Sequence, residues 1–182
     1  REVKSKGFTQ LEISELGELI WEKDRYFLEI GTIWALHVNL VHNDDYAASW
    51  DCFFNYSGLK QFERAACIEN ISEHLEMLGG RMPSINTLKK DVACLLASYS
   101  RSLPPTYQDP EEVRECPFIE LGILSHSRSS GYYHLHRSES DREGIPSELF
   151  GYAVARYREN SADDNETIDL FDLIRKPFSP GL

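Results

Sequence analysis

Ile30-Gly-Thr-Ile-Trp-Ala-Leu-His-Val-Asn-Leu-Val-His-Asn-Asp-Asp-Tyr-Ala-Ala-Ser-Trp-Asp-Cys-Phe-Phe-Asn55 is the stretch whose reading decides the fold. Ile33, Trp34, Leu36, His37, Leu40 and Val41 recur at the spacing of a helix that buries a wide apolar face. The polar run His42 to Asp45 interrupts this rhythm, and Asp44 or Asp45 suits the N-cap of a second helix over Ala47–Asn55. That second helix carries Trp50, Phe53 and Phe54. Two Trp and two Phe in one stretch bury more apolar area than any other part of the chain offers. The reading is a helical hairpin at the centre of the core, with Trp34, Leu36, Leu40, Trp50, Phe53 and Phe54 largely buried.

Working outward, Ser14 to Trp21 predicts a short amphipathic helix with Leu16, Leu19 and Ile20 inward, Phe8 to Leu11 a short strand, and Glu22 to Glu29 a charged connection whose Tyr26 and Phe27 pack onto the hairpin. Downstream, Gln61 to Leu78 predicts a helix with Ala65, Ile68, Ile71, Leu75 and Leu78 in register, stopped by Gly79-Gly80. Ser84 caps a further helix, with Ile85, Leu88, Val92, Leu95, Leu96 and Tyr99 on one face. The prolines of Ser102 to Pro110 make a loop. The β signal lies between Phe118 and His136: a strand over Phe118–Leu124, a turn from His126 to Gly131, and a return strand from Tyr132. A helix begins near Pro146 and a last short one spans Thr167–Ile174. The fold class is mainly α, a multi-helix domain with one β-hairpin. Three helices followed by a hairpin are also the order of a winged helix-turn-helix.

The chain has 182 residues, 41% of them hydrophobic and 12% aromatic. This suits one ordinary globular domain. Thirty acidic against nineteen basic residues give a formal charge of -11. Such a chain is not an autonomous non-specific DNA binder, because phosphate contacts dominate that kind of binding. No run of about 18 apolar residues exists, so no membrane span is expected. Cys52, Cys67, Cys94 and Cys116 form no C-x-x-C pair, and the first three fall within apolar helical patterns as buried thiols. A reducing cytoplasm is the expected compartment. The basic start at Arg1, without a Met, and the ending Ser179-Pro180-Gly181-Leu182 suggest the C-terminal part of a longer protein.

Two basic clusters stand out. His134 and His136 alternate on one strand face, with Arg137 adjacent and His126 and Arg128 across the turn. Histidine can act as general acid or base, and Arg can grip a phosphate, so His134 and His136 are the candidate catalytic pair for phosphodiester chemistry. The same cluster also fits a wing that touches a DNA backbone, or simply the polar face of a half-buried hairpin. Lys89 and Lys90, with Arg81 and Arg101 near the ends of the same helix, are the second DNA-contact candidates, against the plainer reading of a solvated helix face. His37 reads as a hydrogen-bonded core histidine. His42-Asn43-Asp44-Asp45 has oxygen ligands for a divalent metal, but the same residues serve as a helix break and cap, and no metal ligands are assigned.

The strings Leu16-Gly17-Glu18-Leu19-Ile20, Asp24-x-Tyr26, Thr32-Ile33-Trp34-x-Leu36-His37 and Trp50-x-x-Phe53-Phe54-Asn55 carry a resemblance. So do Ser84-x-x-Thr87-Leu88-Lys89-Lys90-Asp91-Val92-x-Cys94-Leu95-Leu96, Cys116-Pro117-x-x-Glu120-Leu121-Gly122-Ile123-Leu124 and Ser179-Pro180-Gly181. Together they resemble the SspB-like family of DNA phosphorothioation, a bacterial family first catalogued as a domain of unknown function. The resemblance spans nearly the whole chain, and most of its strings are core rather than catalytic. It implies a component of a phosphorothioate modification and antiphage defence system that engages and nicks DNA while sulfur replaces a phosphate oxygen. It implies DNA, a cysteine desulfurase, an ATPase and a PAPS-reductase-like protein as partners, with a homodimer as a further assembly. It implies an N-terminal DNA-binding region beyond residues 1–182. A cofactor within the chain is not expected, though nicking would admit a divalent metal such as magnesium. An assembly or dimerisation module without catalysis is the competing expectation.

Overall fold

The computed structural model describes residues 2–5, 8–79, 82–103, 116–136 and 147–160. The hairpin expected at the centre is there. Helix α2 (Ile30–Val41) buries Ile33, Trp34, His37, Val38 and Val41, and α3 (Asp44–Asp51) follows after a two-residue break. The second arm is not one regular helix. Ala47 leaves helical geometry at φ −133°, ψ 39°, and a π-helical turn, Cys52–Tyr56, completes the arm. A wide turn of this kind has more residues per turn and rotates successive side chains less than an α-turn does, which keeps neighbouring residues on one side. Cys52, Phe53 and Phe54 are all buried as a result. Trp34, Phe53 and Phe54 are buried as expected, whereas Leu36, Leu40 and Trp50 are only half-buried.

Strands β1 (Glu2–Ser5) and β2 (Phe8–Leu11) pair antiparallel as a second hairpin, of which the sequence pattern predicts only the second strand. Helix α1 (Glu15–Lys23) is capped by Ser14, whose Oγ accepts from the Gly17 N–H at 3.2 Å. It buries none of its residues. The expectation that Leu16, Leu19 and Ile20 face a core is thus corrected: Leu16 and Ile20 are only half-buried, and Leu19 is exposed. After β3 (Gln61–Phe62), α4 (Arg64–Met77) starts three residues later than expected. It buries Cys67 and Ile71, while Ala65 and Leu78 are exposed. Gly79 ends it with a left-handed φ of +68°, which a residue without Cβ adopts freely. Helix α5 (Ile85–Tyr99) is capped by Ser84, which accepts from the Thr87 N–H at 3.1 Å. It packs Leu88, Val92, Leu95, Leu96 and Tyr99 into the core, whereas Ile85, expected on the same face, lies in the first turn and is exposed. Helix α6 (Ser147–Asn160) contributes Leu149 and Ala153. The helix expected over Thr167–Ile174 lies outside the described residues.

The hairpin expected between Phe118 and His136 is real but displaced. Pro117–Leu121 form a 3₁₀ turn, not the start of a strand. Pro117 has no N–H to give a ladder, and Gly122 closes the turn in the left-handed region at φ +65°. Strand β5 therefore begins only at Leu124 (Leu124–Ser127), and β6 is Tyr133–Leu135. Strand β4 (Ser100–Leu103) continues straight from α5 and pairs parallel with β5, while β3 pairs antiparallel with β6. The order β3-β6-β5-β4 puts the hairpin in the middle of a four-stranded sheet, with both of its edges paired. A free-standing wing has open edges, and this hairpin does not.

Candidate functional site

Pairing in this sheet decides which side chains share a face, since successive residues alternate and registered partners point the same way. Phe62 pairs with Tyr133, and Tyr133 with His126. That row belongs to the apolar face, with Leu124 and Leu135 buried beside it. His126 stacks on Tyr133 at 4.4 Å, and Tyr133 on Phe62 at 5.8 Å. The opposite face carries a polar row. Gln61 pairs with His134, His134 with Ser125, and Ser125 with Arg101. His136, diagonal to Ser125, shares a hydrogen bond with it, Nε2 to Oγ at 2.9 Å. Ser125 is buried, and His134 and His136 are half-buried. Arg101 is exposed and faces Glu120 of the 3₁₀ turn at 3.6 Å.

The structure thus gathers His134, His136 and Arg101 around Ser125 and sends His126 to the other face. Arg128 sits on the hairpin turn, its backbone N–H donating to the Leu103 carbonyl at 2.9 Å. Arg101 joins the histidine cluster and not the lysines of α5. Nearly ten residues of helix separate Lys90 from Ser100, roughly 15 Å at 1.5 Å per residue. Arg81 and Arg137 lie outside the described residues. Lys89 borders an open groove of about 500 Å³ between α4 and α5, together with Ala65, Ile68, Glu69, Glu73 and Ile85. Two carboxylates against one ammonium make that groove a poor seat for phosphate.

Sequence reasoning missed Ser125, Gln61 and Arg64. Ser125 gives no signal in the chain, since its meaning comes from the strand opposite. Arg64 donates to the Lys89 carbonyl at 3.1 Å. Its charge also works against the burial that raises the Tyr133 phenol above its usual value. The hydrogen bond ties the start of α4 to α5.

His37 is the core histidine expected of it. It is fully buried, its Nδ1 lies 2.9 Å from the Tyr99 hydroxyl, and Trp34, Phe54, Tyr99 and Phe118 meet it edge-on. His42 is turned inward and buried, so it is not presented to a metal with its acidic neighbours. Burial, then the charge of Arg156 on α6, holds its imidazole below the ordinary value. Beyond it the buried Asp51 accepts from Asn55 Nδ2 at 2.7 Å, and Asn55 also donates to the Val41 carbonyl at 3.0 Å. These bonds lock the arms of the central hairpin together.

Cys52 and Cys67 are buried, and burial pushes both thiols up to about 12, Asp51 adding to the effect at Cys52. Such thiols are inert at neutral pH. Cys94, expected inside, is exposed. It lies between Asp91 and Ala97 on the outer side of α5, opposite Leu88, Val92 and Leu95. Among the described residues no group of three or more His, Cys, Asp or Glu side chains could hold a metal ion. The polar row offers a single carboxylate, and that one is engaged by Arg101, so its donor set does not fit a resident magnesium. Among the described residues no helix is long and apolar enough to cross a membrane.

A family model described as a protein of unknown function, DUF4007, matches residues 2–182. No curated protein sequence matches the chain. Two solved structures share its fold. An SspB crystal structure is 25% identical and superposes with a TM-score of 0.72 over 93% of this chain and 48% of its own. A magnesium ion-bound SspB crystal structure is 23% identical, with a TM-score of 0.76 over 100% of this chain and 55% of its own. The chain thus spans about half the length of the solved structures that it matches.

Proposed function

The chain belongs to the DUF4007 family, and on that premise we propose that it is a component of a bacterial DNA phosphorothioate modification and antiphage defence system. In this reading it engages and nicks DNA while sulfur is incorporated, residues 1–182 acting as one domain beside an N-terminal DNA-binding region. The observation that carries the reading is the superposition on SspB along nearly the whole chain. A role on chromosomal DNA implies the cytoplasm. A cysteine desulfurase, an ATPase and a PAPS-reductase-like protein are then its partners, and a homodimer its simplest assembly.

The polar row supplies the chemistry that such a reading needs. Arg101, once released from Glu120, offers a planar fork to a phosphate. One histidine takes a proton from the attacking water as its oxygen bonds to phosphorus. The other gives a proton to the deoxyribose oxygen whose bond to phosphorus breaks. His136, held by Ser125, is the better oriented of the two. Arg128 extends the positive edge toward the turn. No step is routed through a metal, because the described donors do not fit one.

A second reading, a non-catalytic assembly module, draws support from the charge of -11 and from the exposed Leu19 and Trp21 of α1. The test is nicking of supercoiled plasmid by the 182-residue chain, alone and within any longer protein that carries it, with and without magnesium. Parent activity that disappears in His134→Ala and His136→Ala supports the nicking role. Absence of nicking in every arm overturns it in favour of the assembly module.

A further inference from the structure

The region from Ile13 to Leu28 holds the largest set of uncovered apolar side chains among the described residues. Ile13 is 71% exposed, Trp21 70%, Tyr26 69% and Leu28 81%, with Leu19 and Phe27 also in solvent. Isolated exposed apolar residues need no explanation, but Ile13, Leu19, Trp21, Tyr26, Phe27 and Leu28 crowd into one short segment, where the Arg25 guanidinium joins the Trp21 and Tyr26 rings. The segment is also built rather than frayed. The Asp24 carboxylate accepts from the Leu28 N–H at 2.8 Å and from the Glu29 N–H at 3.1 Å. The Phe27 N–H donates to the Asp24 carbonyl at 3.0 Å. Phe27 itself is held at a φ of +55°, a left-handed conformation that bulky side chains rarely take. A turn organised this closely holds Tyr26, Phe27 and Leu28 outward from the end of α1, which corrects the expectation that Tyr26 and Phe27 pack onto the central hairpin.

Charge selects the occupant. From Glu12 to Glu29 there are six acidic and two basic residues. Lys23 is tied to Glu22 at 2.7 Å, and the Arg25 guanidinium lies over Tyr26 at 4.8 Å and Trp21 at 5.9 Å. DNA and anionic membranes are repelled by such a surface. A second copy brings the same acids to a two-fold contact, where like charges oppose. We propose that α1 and the Asp24 turn form a docking surface for a partner protein that presents an apolar groove or helix face rimmed with Lys and Arg. The aromatic side chains are the anchors, with the acids as steering rim. This surface is separate from the polar row on the sheet.

The experiment uses two synthetic amphipathic helices as probes, one with Leu on one face and Lys on the other, one with Leu and Glu. Hydrogen exchange of the protein is measured with each, followed by affinity. The Leu/Lys helix is expected to protect residues 13–29 and to bind more weakly as salt rises. The Leu/Glu helix should do neither. Tyr26→Ser with Leu28→Ser, both exposed, should weaken binding about tenfold while leaving the melting temperature and plasmid nicking unchanged. Protection by neither helix, or binding that the double variant leaves intact, overturns the proposal. So does a sedimenting dimer that the double variant dissolves, which assigns the surface to a second copy. Protection of 13–29 by duplex DNA overturns it as well.

Discussion

His37 on α2 and Tyr99 at the end of α5 meet inside the core, Nδ1 to Oη at 2.9 Å, both fully buried. Sixty-two residues separate them in the chain. Burial, helped by Cys116, raises the Tyr99 phenol far above its usual value, so it keeps its proton and can donate to a neutral imidazole. Tyr99→Phe leaves the ring stacking on Phe118 in place but takes the hydroxyl away from the buried His37 Nδ1. The expected cost is about 1–3 kcal/mol. Urea unfolding of the variant, with an unchanged m-value, checks it.

Phe53 and Trp50 neighbour each other on the central hairpin but differ in burial. Phe53 is fully buried, and half-buried Trp50 keeps an indole N–H with no partner among the described residues. Phe53→Ala is expected to cost about 3–5 kcal/mol, the range of a core aromatic. Trp50→Ala should cost less, about 2 kcal/mol, since less area returns to water. Thermal melts of the two variants side by side decide whether burial, and not ring size, sets the order.

His42 makes stability depend on pH. Its folded value lies below the ordinary 6.5 because of burial and then Arg156. Between the two values the unfolded chain binds more protons, so stability rises with pH across that window. The contribution is fully present above about 6.5 and is lost as pH falls through the lowered folded value. His42→Gln should flatten the slope of the unfolding free energy just below pH 6.5. An unchanged slope would assign the dependence to other groups.

The polar row predicts how DNA binding responds to charge. Neutralising Arg101 and Arg128 should weaken it and reduce its salt slope by about one for each phosphate that the protein no longer neutralises. Changing His134 should lower nicking without altering the melting temperature, while His136→Ala should lower both, since the buried Ser125 hydroxyl loses its partner. Lys89→Ala with Lys90→Ala is the competing variant. Failure of the lysine variant with normal behaviour of the sheet variants would assign DNA binding to α5.

Gly122 turns the chain from the 3₁₀ turn into β5 at a φ of +65°. Gly122→Ala has open space for its Cβ, so its cost is conformational, about 1 kcal/mol. Proteolysis near residues 122–127 should rise with it, since the loss is local to the strand that carries Ser125.

The chain by itself determined the helices whose apolar spacing is local. The face of α5 from Leu88 to Tyr99, the Ser84 cap and the central pair from Ile30 to Asn55 all follow from residues within a few turns of one another. The family strings, being mostly core, follow for the same reason. Tertiary structure alone decided three things. It replaced the expected start of the hairpin with a 3₁₀ turn, because a strand needs a partner and Pro117 cannot donate to one. It left the apolar face of α1 outside the buried core, with Leu16 and Ile20 only half-buried and Leu19 exposed, because periodicity records a face and not what lies against it. It also sorted the basic residues. His126 and His134 look equivalent around one turn, but strand register sends them to opposite faces, and it brings Arg101 from a distant helix end to the same side of the sheet as Ser125 and His134. Register is set by pairing between strands far apart in sequence, which no local pattern encodes.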